Sequence, residues 1–250
     1  MNFYVRFLFF HFPYLHLQLV RVMRKLFFGA ILLVIAGVAI SQDLSQVTIQ
    51  GGKSFRHFGI AIDRQVLLRI SDDGKILEYG MEERSLRNPN FFSPKLQPFL
   101  GRVDKYDNHI DSMIQGKVRS IGTANITYYP SNEDESRRGK IRTIGTLMLD
   151  YYDYRSNEAQ KGKLKQIGRN MIDYYAPFEN EAIKGKLKTV GPTNITYYTS
   201  FDDKAIAGKV KTIGANNYTW FTSTEQQRMG GALKSGQQRA VANQVTYIIQ

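Results

Sequence analysis

Apolar and polar residues alternate in short runs along most of the chain, and one arrangement recurs five times at intervals of 23 residues. Each copy opens with Gly-Lys, and this glycine is counted as position 0. Positions 2, 5 and 10 are apolar or aromatic, position 3 is basic, position 6 is glycine, and positions 12 and 13 are aromatic. The opening glycines are residues 116, 139, 162, 185 and 208. Five copies without a gap indicate a tandem supersecondary repeat.

Each copy predicts one β-hairpin. A short, β-branched run closes on a glycine that tolerates a positive φ, and a second β-branched and aromatic run follows. No part of a copy has apolar residues at helical spacing over about ten positions. The predicted fold is therefore all-β: an antiparallel β-meander built from tandem 23-residue β-hairpin repeats across residues 116–229.

The alternation also predicts which residues share a face of the sheet. With a turn at positions 6–8, position 2 faces position 12 and position 3 faces position 11. Positions 2, 10 and 12 then lie on one side, and positions 3, 5, 11 and 13 on the other. Asp150 is expected opposite Arg142, and Asp173 opposite Lys165, as favourable cross-strand pairs.

Less regular segments flank the five copies. Residues 74–80 and 101–106 begin in the same way and are interpreted as degenerate copies within an N-terminal β segment, residues 42–115. Three prolines within residues 88–98 exclude a central strand and predict a loop. Residues 230–250 are predicted to hold a final strand that caps the array.

A signal peptide is predicted over residues 23–41. It begins with basic residues, continues with an apolar run over residues 26–38, and ends with the small residues Ala39 and Ser41, so cleavage is expected between Ser41 and Gln42. The alternative is a retained membrane anchor, but the apolar run is shorter than the roughly 20 residues that span a bilayer.

Residues 1–22 precede this complete signal peptide. They are interpreted as an upstream extension, with translation starting at Met23; the alternative is one long signal with two apolar runs. Loss of residues 1–41, which hold four basic residues and no acidic one, lowers the formal net charge from +12 to +8. This charge is below that of a polybasic arm, so nucleic acid is not an expected partner.

The array resembles tandem β-hairpin proteins of the MORN and YD-repeat type. The resemblance lies in the period and in the placing of glycine and aromatic pairs over residues 74–221. It implies a repetitive antiparallel sheet and brings no catalytic residue. With its secretory signal and no cysteine, the chain also resembles secreted envelope proteins of the Bacteroidota.

Sequence motifs for catalysis or metal binding are few. The absence of cysteine excludes disulfides, thiolate nucleophiles and Cys-ligated metals. His57 and His109 are interpreted as surface or loop histidines. Acidic residues 133–135, 179, 181 and 202–203 lie in the connectors between copies, where solvated charge is the interpretation and a calcium site the alternative. No catalytic residue, metal site or cofactor is predicted.

The best candidate for a ligand face is a pair of rows that stacked hairpins would align. A lysine row at position 1 and a tyrosine row at position 13 would bind acidic glycans through charge and sugar rings through stacking. The lysine row is Lys117, Lys140, Lys163, Lys186 and Lys209, and the tyrosine row is Tyr129, Tyr152, Tyr175 and Tyr198. The alternative is that acidic connectors neutralise the lysines while the tyrosines pack between neighbouring hairpins.

Together these patterns predict an exported, non-catalytic β-repeat protein. It would serve as a structural or interaction module of the cell envelope or exterior, secreted or periplasmic, with no transmembrane span after signal cleavage. The expected partner is an envelope polysaccharide or another envelope protein. The alternatives are a polysaccharide-binding surface formed by the lysine and tyrosine rows and, in a different class, a glycan-acting enzyme that uses connector acids.

Overall fold

The structure, a computed structural model, describes residues 42–63, 66–83, 87, 92–108, 111–225 and 228–250. The predicted signal peptide and the residues before it lie outside this part. Within it every regular element is a strand, which confirms the all-β prediction. In chain order the strands are β1 (Asp43–Gln50), β2 (Ser54–Ala61), β3 (Val66–Ile70), β4 (Ile76–Met81), β5 (Gln97–Pro98), β6 (Val103–Lys105), β7 (Val118–Ile121), β8 (Ala124–Tyr128), β9 (Ile141–Ile144), β10 (Leu147–Tyr151), β11 (Leu164–Ile167), β12 (Asn170–Tyr174), β13 (Leu187–Val190), β14 (Thr193–Tyr197), β15 (Val210–Ile213), β16 (Asn216–Asn217), β17 (Thr219–Trp220), β18 (Leu233–Ser235), β19 (Arg239–Ala242) and β20 (Val245–Ile249). Among these residues no helix is long and apolar enough to cross a membrane.

A seven-stranded sheet combines early and late strands in the order β19-β20-β1-β2-β3-β4-β5. Its neighbours are antiparallel except β1 and β20, which run parallel with Val47 opposite Tyr247. β5 contains Pro98 and lies at the sheet edge, where a residue without an N–H is tolerated. Residues 74–80, interpreted above as a degenerate copy, form part of the β3–β4 turn and most of β4 in this sheet.

An eleven-stranded sheet contains β6 to β16 in sequence order, and each strand is antiparallel to the next. This confirms the antiparallel meander. The first strands of the five hairpins begin at residues 118, 141, 164, 187 and 210, so successive hairpins begin 23 residues apart. β6 pairs with β7 as β8 pairs with β9, so residues 101–106 correspond to the second strand of a hairpin and not to the first.

The hairpin turns contain two residues, where the sequence analysis placed three. Ile121 pairs with Ala124 across the turn Gly122–Thr123, and only the glycine of this turn has a positive φ, at 57°. A positive φ at the first turn residue alone is typical of a type II′ turn, which favours glycine at that position.

A β-bulge joins each hairpin to the next. Tyr128 lies opposite Ile141 and Thr127 opposite Thr143, which leaves position 3 of the following hairpin without a partner in the ladder. The extra residue reverses the alternation, so positions 2 and 5 both point inward. The prediction that position 5 lies on the outer side is therefore wrong, and Ile144 at that position is 0 % exposed.

The two predicted cross-strand pairs, Asp150–Arg142 and Asp173–Lys165, are not formed, because the two-residue turn shifts the pairing within each hairpin by one residue. Across the junction with the following hairpin, position 11 lies opposite position 4, and Asp150 faces Gln166. The Asp150 carboxylate forms an ion pair with Arg137 of the preceding connector, at 2.9 Å.

One hydrophobic core joins the two large sheets. Inward side chains of the hairpins lie in the same buried cluster as Phe58 of the seven-stranded sheet. Two backbone hydrogen bonds also attach turns of that sheet to hairpins. The N–H of Leu164 donates to the carbonyl of Asp72 at 2.6 Å. The N–H of Val210 donates to the carbonyl of Gly52 at 2.7 Å.

Residues 230–250 are divided between two sheets, whereas one capping strand was expected. β18 pairs with β17 in a small two-stranded sheet, while β19 and β20 belong to the seven-stranded sheet. The turn between β19 and β20 has a positive φ at both Asn243 and Gln244, which is typical of a type I′ hairpin.

Candidate functional site

The lysine row lies between neighbouring hairpins. Each ammonium lies over the first aromatic ring of its own hairpin, with Nζ to ring-centroid distances from 4.5 Å for Lys209 to 5.4 Å for Lys186. Lys117, Lys140 and Lys163 each donate a hydrogen bond to the backbone carbonyl of the opening glycine in the next hairpin. These three lysines therefore connect consecutive hairpins.

The last two lysines of the row connect the hairpins to the other sheet. Lys186 Nζ donates to the carbonyl of Lys53, and Lys209 Nζ donates to the carbonyl of Gly51 at 2.6 Å. Both acceptors belong to the turn between β1 and β2. Burial, reinforced by the nearby charge of Lys53, lowers the pKa of Lys186 to about 8. The pKa values of Lys117, Lys140 and Lys209 are also lowered, chiefly by burial.

The tyrosine row makes a second set of bonds between hairpins. Each hydroxyl donates to the position-10 carbonyl of the next hairpin, at 2.9 to 3.1 Å. The rings of Tyr129, Tyr152 and Tyr175 also contact the first aromatic of the next hairpin edge-on, at centroid distances of 5.9 to 6.2 Å. Burial raises the pKa of every tyrosine in the row, and that of Tyr152 to about 12.

Both rows therefore have partners within the protein. The tyrosines pack between neighbouring hairpins, as the alternative interpretation expected. The lysines are held mainly by backbone carbonyls; one carboxylate, Asp72, lies 3.6 Å from Lys163. Tyr106, which follows β6, makes the same kind of bond as the tyrosine row. Its hydroxyl donates to the Ile126 carbonyl of the first hairpin at 2.9 Å.

A different row of cations lies on the outer face of the eleven-stranded sheet. It occupies position 3, the residue added by the bulge, and is exposed or half-buried throughout. This outer cation row consists of Arg119, Arg142, Lys165, Lys188 and Lys211 on that sheet and of Lys234 at the equivalent position on β18 of the two-stranded sheet. Five of its members lie 5.2 to 5.9 Å from the centroid of the second aromatic ring of the preceding hairpin.

The connectors contain a repeated element that the sequence analysis missed. An Asp or Asn at position 18 accepts a hydrogen bond from the backbone N–H two residues later, at 2.8 to 3.0 Å. These residues are Asp111, Asp134, Asn157, Asn180 and Asp203, again 23 residues apart. Three of them also accept the N–H of position 15 in the next connector. The recurrence of Asp or Asn at one position was the signal that could have revealed this.

The connector acids are therefore partly structural. Hydrogen bonds from Ser223 and Ala205 lower the pKa of Asp203, and those from Ser136 lower the pKa of Asp134. Across the described residues no group of three or more His, Asp or Glu side chains is placed to hold a metal ion.

A buried polar cluster lies in the seven-stranded sheet. His57 is 3 % exposed on β2, so its interpretation as a surface or loop histidine is wrong, and His109 lies outside the described residues. Arg69 is 2 % exposed; it donates to Glu78 at 2.8 Å and to the carbonyl of Ser93 at 3.0 Å. Burial first, and then the charges of Arg69 and Arg56, lower the pKa of His57 to about 3.

Beside this cluster is an open cleft of about 610 Å³. Gln46 donates to the Glu82 carboxylate at 2.8 Å, and Arg239 lies 3.6 Å from the same carboxylate. Glu82 is thus engaged by its neighbours in the cleft wall. No family model, curated protein or solved structure matches this chain.

Proposed function

We propose that the protein is an exported, non-catalytic structural and interaction module of the cell envelope or exterior. The observation that carries the proposal is the use of the lysine and tyrosine rows as bonds from one hairpin to the next. Lysine and tyrosine side chains, which could bind a ligand, are thus used to hold neighbouring hairpins together. The predicted signal peptide supports the location, and the regular outer face supports a role in contact with other molecules.

The structural part of this proposal is tested by removing one bond between hairpins. In Lys140→Met the carbonyl of Gly162 loses its charged donor, so we expect the free energy of unfolding to fall by about 1–2 kcal/mol. Lys161→Met is the matched control, because Lys161 is an exposed connector residue and the change in charge is the same. Equal stability of the two variants in urea unfolding would contradict the structural role of the row.

The location is tested by the N-terminus of the protein recovered from cells. Cleavage as predicted leaves Gln42 as the first residue in the periplasmic or extracellular fraction. Recovery of the uncleaved chain from the cytoplasm would overturn the proposed export. Retention of an uncleaved chain in the membrane fraction would instead support the anchor alternative.

A further inference from the structure

The outer cation row has a regular spacing set by the sheet. The five members on the eleven-stranded sheet lie two strands apart, and strands are separated by roughly 4.8 Å, so their charges repeat about every 10 Å. All six members occupy the same repeat position; five of them lie on the eleven-stranded sheet, and Lys234 lies on β18 of the two-stranded sheet. The row therefore presents a linear and periodic positive charge.

Most of this charge is not neutralised within the described residues. Lys188 lies 3.3 Å from Glu179, and Lys234 lies 2.5 Å from Glu225. Within the described chain no ion pair involves Arg119, Arg142, Lys165 or Lys211. These cations stay available to an anion from outside the molecule.

The surroundings of the row suit a sugar chain. Half-buried tyrosine rings lie beneath the cations, and exposed amides of Asn125, Asn194 and Asn217 follow the sheet at position 9. Threonine hydroxyls at positions 11 and 4 meet in pairs, with Oγ1–Oγ1 distances of 2.7 Å for Thr127–Thr143 and Thr196–Thr212. Amides, hydroxyls and aromatic edges offer hydrogen bonds and contact area to a hydroxyl-rich polymer.

We propose that the outer cation row binds a linear acidic polysaccharide that carries one anionic group per disaccharide. An extended chain of alternating neutral and acidic sugars places its charges two rings apart, close to the repeat of the cations. Charge complementarity and this spacing identify the occupant. The inference rests on the proposed role as an exterior interaction module, whose partner it names.

The test measures binding of the purified full-length protein to hyaluronate oligosaccharides, with dextran as a neutral probe and oligothymidylate as a phosphate probe. We expect binding to hyaluronate that weakens with salt, and none to dextran. The variant Arg142→Gln/Lys165→Gln/Lys211→Gln should lose at least about tenfold in affinity, because three of the charge contacts are removed. Its melting temperature should stay close to that of the parent, since these side chains lie on the outer face.

The matched control is Lys161→Gln/Lys184→Gln/Lys204→Gln, which removes the same charge from exposed connector residues. Retained binding in this variant supports the row as the site. An equal loss in both variants, tighter binding to oligothymidylate than to hyaluronate, or no binding to hyaluronate would each overturn the inference. Export measured by the N-terminal assay is independent of these results, so failure of the ligand and failure of the proposed location are distinguishable.

Discussion

Individual side chains in the array make several contacts at once, and Tyr152 illustrates this. Its hydroxyl donates to the Ile172 carbonyl at 2.9 Å and lies 3.3 Å from Asp173, while its ring contacts Tyr174 edge-on. One residue thus joins two hairpins through a hydrogen bond and an aromatic contact. Repetition of such residues gives each hairpin the same attachment to its neighbour.

At the same scale, His57 should make the free energy of unfolding depend on pH in the acidic range. The unfolded chain protonates this histidine below pH 6.5, but the folded protein does so only near pH 3. Between these values the unfolded state binds more protons, so the free energy of unfolding falls as the pH drops. We expect His57→Gln to reduce the loss between about pH 7 and about pH 4 by on the order of 2 kcal/mol, measured by urea unfolding. An identical loss of stability in the variant and the parent would contradict the lowered pKa of His57 in the folded protein.

At the scale of the element, the β3–β4 turn depends on close contact with the array. Gly74 is buried with a φ of +79°, and a methyl group there would overlap the Tyr151 hydroxyl and come within 2.7 Å of its ring. Tyr151 is itself 0 % exposed and cannot move without disturbing the core. A turn of one sheet thus fits against a ring of the other.

Gly74→Ala should therefore destabilise the protein more than an alanine at a similar backbone conformation elsewhere. Overpacking and the left-handed φ together predict a loss of about 2–4 kcal/mol. Gly116→Ala is the control, since its φ is +78° and no atom lies within 4 Å of the added methyl group; it should lose only about 1 kcal/mol. Equal losses in guanidinium unfolding would show that the contact with Tyr151 has no cost.

The sequence was sufficient for features that depend on local periodicity. Alternation placed positions 2, 10 and 12 inward, and Ile141, Leu149 and Tyr151 are all buried. It failed at position 5, because the bulge that reverses the alternation is formed with the preceding hairpin and leaves no local signal. It also failed for Gly74, since an opening glycine has the same local pattern in either sheet.

For the candidate site, residue type alone was misleading. Positions 1 and 3 are both basic, and the sequence offered no means to decide which row faces solvent. The bulge decides it, by placing Arg142 outward while Lys140 reaches the next hairpin. The buried environment of His57 depends on Arg69 and the segment around Ser93, which are distant in sequence.

At the scale of the whole molecule, the seven-stranded sheet attaches to the array at points of fixed separation. Its turns accept the N–H groups of Leu164 and Val210, which occupy the same repeat position two copies apart. The array between these points must therefore contain the right number of hairpins. The hairpin before this interval also contacts the other sheet, through Tyr151 against Gly74, but that contact does not fix the separation of the two attachment points.

The loss in free energy of unfolding on deletion of one 23-residue copy should consequently depend on the position of that copy in the array. Deletion of residues 185–207 shortens the interval between the two attachment points, whereas deletion of residues 116–138 leaves it intact. We expect the first deletion to lower the free energy of unfolding by about 2–4 kcal/mol more than the second, because hydrogen bonds and core contacts at one attachment are lost. Circular dichroism checks that both variants keep their sheet content, and equal destabilisation would contradict the attachment model.

The parallel contact between β1 and β20 sets the order in which the chain can fold during synthesis. Val47 and its partner Tyr247 are 200 residues apart. At translation rates of roughly 5–20 residues per second, β20 is synthesised about 10–40 s after β1. Each hairpin, in contrast, can pair with the preceding hairpin as soon as it is synthesised. Contacts of such long range also form slowly. A chain that crosses a membrane while it is being made would pass with this sheet still open, and the sheet would close only on arrival.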